Sequence, residues 1–176
     1  YMLSNQRTNN LEVIGYSYAN YARCKDTRKS TSWYIFMLAN GPISWKSHKQ
    51  TLTASSTMEA EFIACYEAAC HAVWLKNFIF GLQLVDSISR PLQIYCDNDT
   101  AVRFSNNKKT SGGSKHIDIK YLVVKERVLN QTVSISHNDT TLMLADPLTK
   151  GLTPKLFQEH VAHKGLVESL SCLDLK

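Results

Sequence analysis

No apolar run in the 176-residue sequence approaches the roughly 18 residues of a membrane-spanning helix. The N-terminal stretch shows no signal-peptide pattern. Neither a membrane protein nor a secreted one is expected, and an intracellular, cytoplasmic setting is, with the nucleus as the alternative. There is no Cys-x-x-Cys pair. The five cysteines, Cys24, Cys65, Cys70, Cys96 and Cys172, are an odd number, which argues for buried or free thiols in a reducing compartment and against a disulfide framework or zinc knuckle. Internal repeats and low-complexity tracts are also absent.

What is present is an ordinary globular balance, 44% hydrophobic and 20% charged, on a chain long enough for one domain with a sizeable core. Twenty Lys and Arg against fifteen Asp and Glu give a net charge of +5, compatible with a polyanionic partner.

Residues 1–11 are polar and unpatterned. An extended segment runs over 12–17, and a polar connection over 22–31. Aromatic and β-branched residues predict a strand over 32–38, and turn chemistry at Asn40-Gly41-Pro42 returns it as a strand over 43–47. A long helix follows, capped by Ser55, Ser56 or Thr57 and ended by Gly81. Met58, Phe62, Cys65, Tyr66, Ala69 and Val73 give it one apolar stripe. A short strand over 92–96 ends at Asp97. Helices over 98–105 and 117–129, a strand over 133–136, a helix with Asp146 near its start and another over 154–163 complete the pattern. The order predicts an α/β fold, a single mixed sheet with helices packed on it. Trp33, Trp45 and Trp74 are expected to pack in the core or on a sheet face.

Three acidic positions stand where chemistry is expected. Asp97 closes a strand, the usual place for a site in an α/β sheet. Glu59 lies in the first turn of the long helix, where it also suits the helix dipole, and on helical geometry Glu61 is as good a candidate. Asp146 precedes Pro147 at a helix start, where capping is the simpler role. Converging carboxylates suit hard divalent cations, and a pair of such ions about 4 Å apart activates water and stabilises the leaving oxygen in phosphodiester cleavage.

Seven segments, in order, carry a resemblance. They are Gly15-Tyr16-Ser17, Cys24 to Ser32, Gly41 to Ser47, Ser55 to Phe62, Tyr95-Cys96-Asp97-Asn98, Lys115 to Tyr121 and Leu144 to Lys150. The chain resembles the ribonuclease H domain of Pol polyproteins of plant copia-type (Ty1/copia) retrotransposons, over roughly residues 12–166. The resemblance implies the ribonuclease H-like fold, with a five-stranded mixed sheet of order 3-2-1-4-5. It implies hydrolysis of the RNA strand of an RNA–DNA hybrid with two Mg²⁺ ions, Mn²⁺ being a possible substitute. Residues 1–11 become a connector from an upstream reverse transcriptase domain, 12–166 the domain and 167–176 a C-terminal tail. An intact element would place the protein in a virus-like particle.

The family's four acids carry over to Tyr18, Glu59, Asp97 and Asp146, the match at Met58-Glu59 favouring Glu59 over Glu61. The opening strand of the family typically reads G-Y-S-D-A-D. Here both acids are replaced, by Tyr18 and Asn20. A phenol is neutral near pH 7, its ordinary pKa being about 10, and offers no second oxygen for a bridging ligand. Weak Mg²⁺ binding and impaired cleavage are therefore expected, unless Asn20 or Asp99 supplies a ligand. Ser55, Ser56, Thr57, Asn98, Lys46, Lys49 and Lys115 are the expected nucleic-acid contacts, with helix capping and solvated lysines as the plainer roles. His137 stands roughly where related enzymes carry a histidine that aids product release. The alternative function is a non-catalytic module that binds nucleic acid or protein.

Overall fold

A computed structural model of the chain describes residues 2–3, 11–24, 26–83, 90–107, 115–139, 154–155, 158 and 166–167. In chain order the elements are β1 (Met2–Leu3), β2 (Ile14–Asn20), β3 (Thr31–Leu38), β4 (Gly41–Lys49), α1 (Thr57–Leu82), β5 (Leu92–Cys96), α2 (Asp99–Asn106), α3 (Lys115–Leu129), β6 (Val133–His137) and β7 (Leu166–Val167). Five of the strands form one sheet in the order β4-β3-β2-β5-β6. β2, β3 and β4 are antiparallel, and β5 and β6 run parallel to β2. Counted within the sheet, that is the expected 3-2-1-4-5 order. β1 and β7 pair antiparallel, joining the stretch read as a connector to the border of the expected tail.

The β3–β4 hairpin turns one residue earlier than its Asn-Gly-Pro signal suggested. Leu38 pairs with Gly41, so Ala39 and Asn40 form a two-residue loop, both with positive φ (51° and 59°). Two left-handed residues match the twist of the flanking strands.

α1 starts at Ser56, whose side chain accepts from the Glu59 N–H, and runs through Gly81 to a left-handed cap at Gln83. Its buried face is set by small residues, Ala60, Ala64, Ala68 and Ala72, beside Phe62, Ile63 and Cys65. Met58 and Tyr66, expected on the stripe, are only partly buried and pack against the core from its side. Small side chains let the helix axis approach the sheet closely, as close-packed interiors require. The buried amide of Gln50 fastens α1 to β3, donating to Ser32 Oγ at 2.9 Å and Ala60 O at 2.8 Å. Trp45 and Trp74 depart from expectation: they are 61% and 56% exposed. Trp45 lies on an edge strand, and Trp74 stacks on Phe78 on the outer side of α1 with ring centroids 5.4 Å apart.

Gly15 lies opposite Phe36 on β3 with no room for a side chain. A Cβ there would lie 2.6 Å from Phe36 Cε1 and 3.0 Å from Cδ1. Phe36 is fully buried and held between Tyr34 and His71. Gly15→Ala is expected to destabilise the fold by about 1–3 kcal/mol, the usual cost of overpacking. Urea denaturation checks this, and Phe36→Leu in the same chain should recover part of the loss.

Candidate active site

β2 and β5 are parallel neighbours, paired from Ile14↔Gln93 to Ser17↔Cys96. There the pairing ends. Tyr18 is the next residue on one strand and Asp97 the next on the other. The antiparallel part of the sheet lies to one side of this point and the parallel part to the other. A crevice at the carboxyl ends of parallel strands, where the connection changes direction, is where open α/β sheets bind ligands.

Alternation along β2 sends Ser17 and Ala19 toward α1 and Tyr16 and Tyr18 to the opposite face. Ser17 Oγ lies 3.2 Å from Cys65 Sγ, clamping β2 to the helix one turn beyond Glu61. Glu61 therefore rises at the parting of the strands. It is only 6% exposed. The Cys96 thiol donates toward its Oε2 at 3.9 Å, and the Ala19 N–H donates to the same carboxylate. One ligand atom each from Glu61, Cys96 and Asp97 lies within 4.8 Å of the others, the one such group among the described residues.

Burial, then Cys96 and Asp97, push the Glu61 carboxyl well above its ordinary 4.5. The folded chain thus holds this proton more tightly than the unfolded chain. Its contribution to stability is complete below about 4.5 and is lost as pH rises through the raised folded value. Glu61→Gln, which cannot ionise, is expected to flatten that decline and to be the more stable chain at neutral pH. Denaturant midpoints compared from acid to neutral pH provide the check.

Glu59 is engaged elsewhere. Its Oε2 accepts from the Ser55 N–H at 2.7 Å and from the Ser55 hydroxyl, while its own N–H donates to Ser56 Oγ at 3.2 Å. This reciprocal arrangement closes a helix N-terminus, as in a capping box. The structure brings Glu61, not Glu59, up to Asp97. The signal was in the sequence: counting Ala60, Ala64, Ala68 and Ala72 as apolar turns the buried face toward Glu61.

Tyr18 is 9% exposed and packs with Ile35 and Met37, flanked by Tyr16, Trp33 and Tyr95. Asn20 pairs with Thr31 at the end of β2. Asp99 pairs with Arg103 at 2.7 Å along α2. Asp146 lies outside the described residues. The described donor set at the crevice is two carboxylates and a thiol, with a phenol where the opening-strand acid would stand. That set does not fit a pair of Mg²⁺ ions, which take oxygen ligands and a bridging carboxylate.

The remaining expected residues surround the site at different distances. His137 is exposed, and its Nε2 lies 3.2 Å from the backbone oxygen of Asp97, at the rim. Asn98 caps α2, its Oδ1 accepting from Ala101 N at 2.9 Å. Ser56 is the cap of α1, with Ser55 and Thr57 beside it. Lys46 and Lys49 sit on β4, two strands from β2, roughly 10 Å away in a sheet. Lys49 Nζ donates to Cys24 Sγ at 3.5 Å. Burial and the charge of Lys46 lower the proton affinity of His71, and His71 lies 2.7 Å from Ser44 Oγ. Lys115 opens α3.

The five-stranded order and the flanking helices define a ribonuclease H-like fold. The structure of the ribonuclease H1 LC11, solved in complex with an RNA/DNA hybrid, superposes with a TM-score of 0.55 at 15% identity, covering 78% of this chain and 93% of that one. The Pol polyprotein of the tobacco (Nicotiana tabacum) transposon TNT 1-94 is 35% identical over 144 residues, 82% of this chain. The Pol polyprotein of the Arabidopsis thaliana transposon RE1 is 33% identical over 161 residues, 92% of this chain. No protein-family model matches. The chain is a ribonuclease H-like domain of retrotransposon origin, belonging with the Pol polyproteins of plant copia-type elements. It spans about a tenth (11%) of the length of those relatives.

Proposed function

We propose that the domain binds RNA–DNA hybrids and that its ancestral activity, metal-assisted hydrolysis of the RNA strand, is impaired in this copy. One observation carries the reading: Glu61 and Asp97 converge where β2 and β5 part, and the adjoining position on β2 holds Tyr18 packed among apolar side chains. In such sites paired divalent ions, Mg²⁺ or Mn²⁺, supply an activated water and charge for the leaving oxygen. The two carboxylates supply part of the charge such ions require. Glu61 takes the helix position of the site, Glu59 the cap beside it, and Asp146 is the further acid. His137 at the rim serves product release.

Hybrid binding rests on hydroxyls and N–H groups at the start of α1, on Asn98 at the start of α2, and on Lys46, Lys49 and Lys115 as phosphate contacts. The domain spans residues 12–166, follows a reverse transcriptase domain through the 1–11 connector, and works inside the cell. No described helix is long and apolar enough to cross a membrane. The buried Tyr18 favours one further reading, a platform that binds hybrid without cutting it.

Hybrid binding by fluorescence anisotropy across a salt series tests the common part. Affinity should fall steeply with salt, and Lys46→Ala with Lys49→Ala should reduce the slope by about 2. No affinity at low salt would leave a protein-binding scaffold instead.

A further inference from the structure

β4 is an edge of the sheet, and among the described residues no strand pairs with its outer side. The Gln50 N–H donates to Ser30 O at 2.9 Å, which fixes the alternation of the antiparallel ladder. The backbone groups of His48, Lys46 and Ser44 therefore turn to β3, and those of Lys49, Ser47 and Trp45 turn outward. Natural sheets blunt such edges with proline, bulges or charge. Here Pro42 and the register shift between Phe36 and Met37 confine the irregularity to the start of β4. Residues 44–49 are left regular, with Lys46 as the charge in their middle.

One line of α1 adds to this edge. Trp74, Phe78 and Leu82 recur every fourth residue and so share a helix face. Phe78 is 52% exposed and Leu82 48%. The stripe stands next to β4: His71 stacks on Trp74 with ring centroids 5.3 Å apart and lies 2.7 Å from Ser44 Oγ. Trp45, Trp74 and Phe78 each expose more than half their surface, which leaves roughly 300 Å² of apolar ring. A patch of that size on a monomer marks an interaction site. A stable interface takes about 800 Å² from each partner, so the rings supply under half of it. The open strand edge and the side chains along it supply the rest.

We infer that this edge receives a second copy of the chain, β4 pairing antiparallel with β4 about a two-fold axis at Trp45, with the two α1 stripes closing over the junction. The occupant must offer an open strand edge and an apolar ridge at one spacing, and a second copy offers both by symmetry. Centring on Trp45 joins outward-facing backbone groups of both copies. It also sets Lys46 of each copy opposite Ser44 of the other, so like charges do not face one another. A centre at Lys46 would oppose two lysines and would call on backbone groups already bonded to β3. α1 lies over β2 and β3, so with strands about 4.8 Å apart the two helices stand roughly 20 Å apart across the junction. Helices of 10–12 Å diameter leave a channel roughly 10 Å wide, which Trp74 and Phe78 of the two copies fill.

Sedimentation equilibrium of the natural chain tests this, with a reducing agent present because Cys70 is exposed. A reversible monomer–dimer equilibrium at micromolar concentrations is expected. The net charge of +5 on each copy opposes association, so added salt should tighten the dimer several-fold, the opposite of its effect on hybrid binding. Ser47→Pro removes one outward N–H and spares the bonds to β3. Trp74→Ser removes a ring from the stripe. Both positions are exposed, so each variant should stay folded by circular dichroism and dimerise at least about tenfold more weakly. Amide exchange needs no variant: the Trp45 and Ser47 amides should slow as protein concentration rises, while those of Lys46 and His48 stay protected throughout. A dimer that either variant leaves unchanged, or Trp45 and Ser47 exchange that ignores concentration, would overturn the inference. So would a chain still monomeric at about 500 µM, beyond the reach of even a weak specific interface, and the stripe would then belong to a different partner.

Discussion

Tyr18→Asp combined with Asn20→Asp is expected to raise Mg²⁺-dependent cleavage of an RNA–DNA hybrid by orders of magnitude over the natural chain. The argument is one of charge and reach. Two dications about 4 Å apart repel strongly and are held together by anionic oxygens between them. Tyr18 carries no carboxylate, and its ring is packed on Ile35 and Met37 on the face of the sheet away from α1. An aspartate at this place, the first residue of β2 beyond its last pair with β5, sets a short carboxylate at the parting strand ends beside Asp97. The exchange also removes a buried aromatic, a change that costs about 3–5 kcal/mol in a full core. The rate is therefore to be read at low temperature on protein shown folded by circular dichroism. A labelled hybrid, quantified for both chains in Mg²⁺ and in Mn²⁺, gives the answer. Efficient cutting by the natural chain, lost on Asp97→Asn, would show that Tyr18 does not disarm the site.

The second large effect separates two glutamates two residues apart. In the restored chain, Glu61→Gln should lower cleavage by at least about 100-fold, more than the loss usual for outer partners of a metal ligand. Glu59→Gln should leave the rate within a few-fold. Its effect should be on stability, a loss of about 1 kcal/mol, because its carboxylate serves the Ser55 N–H and hydroxyl at the helix start. Single-turnover rates and urea midpoints of both variants decide the matter. The reverse pattern, Glu59→Gln inactive and Glu61→Gln active, would return the metal role to Glu59.

Much of the frame was legible from residue order. The β-branched and aromatic run of β3, the polar break before it and the acid closing β5 have local causes, and the observed strands agree to within a few residues. The hairpin turn was misplaced by one residue because Asn40-Gly41-Pro42 is a strong turn signal, whereas the observed register closes the loop at Ala39 and Asn40. α1 was recognised, but its buried face was rotated. Alanine contributes little to a search for large apolar side chains, yet Ala60 and Ala64 fill the face of α1 that packs with Ala19 of β2.

That rotation explains the residual ambiguity at the site. Glu59 and Glu61 lie about 200° apart around a helix of 3.6 residues per turn, so the choice of face is the choice of glutamate. A sequence match at Met58-Glu59 cannot see which face the sheet covers. Cys96 was likewise invisible as a possible ligand. It reads as a buried strand residue, and its nearness to Glu61 arises only when α1 is laid across β5.

By itself, the sequence determined the order of elements, the family, the acid at the end of β5 and the absence of one on β2. Each is a matter of residue identity or of periodicity along the chain. Only the tertiary structure decided that Glu61 meets Asp97, that Glu59 caps its helix, and that Tyr18 packs into an apolar cluster. Glu61 and Asp97 are 36 positions apart, and Tyr18 lies 17 and 19 positions from Ile35 and Met37; those meetings depend on how the strands pair and on how the small-residue face of α1 docks on the sheet.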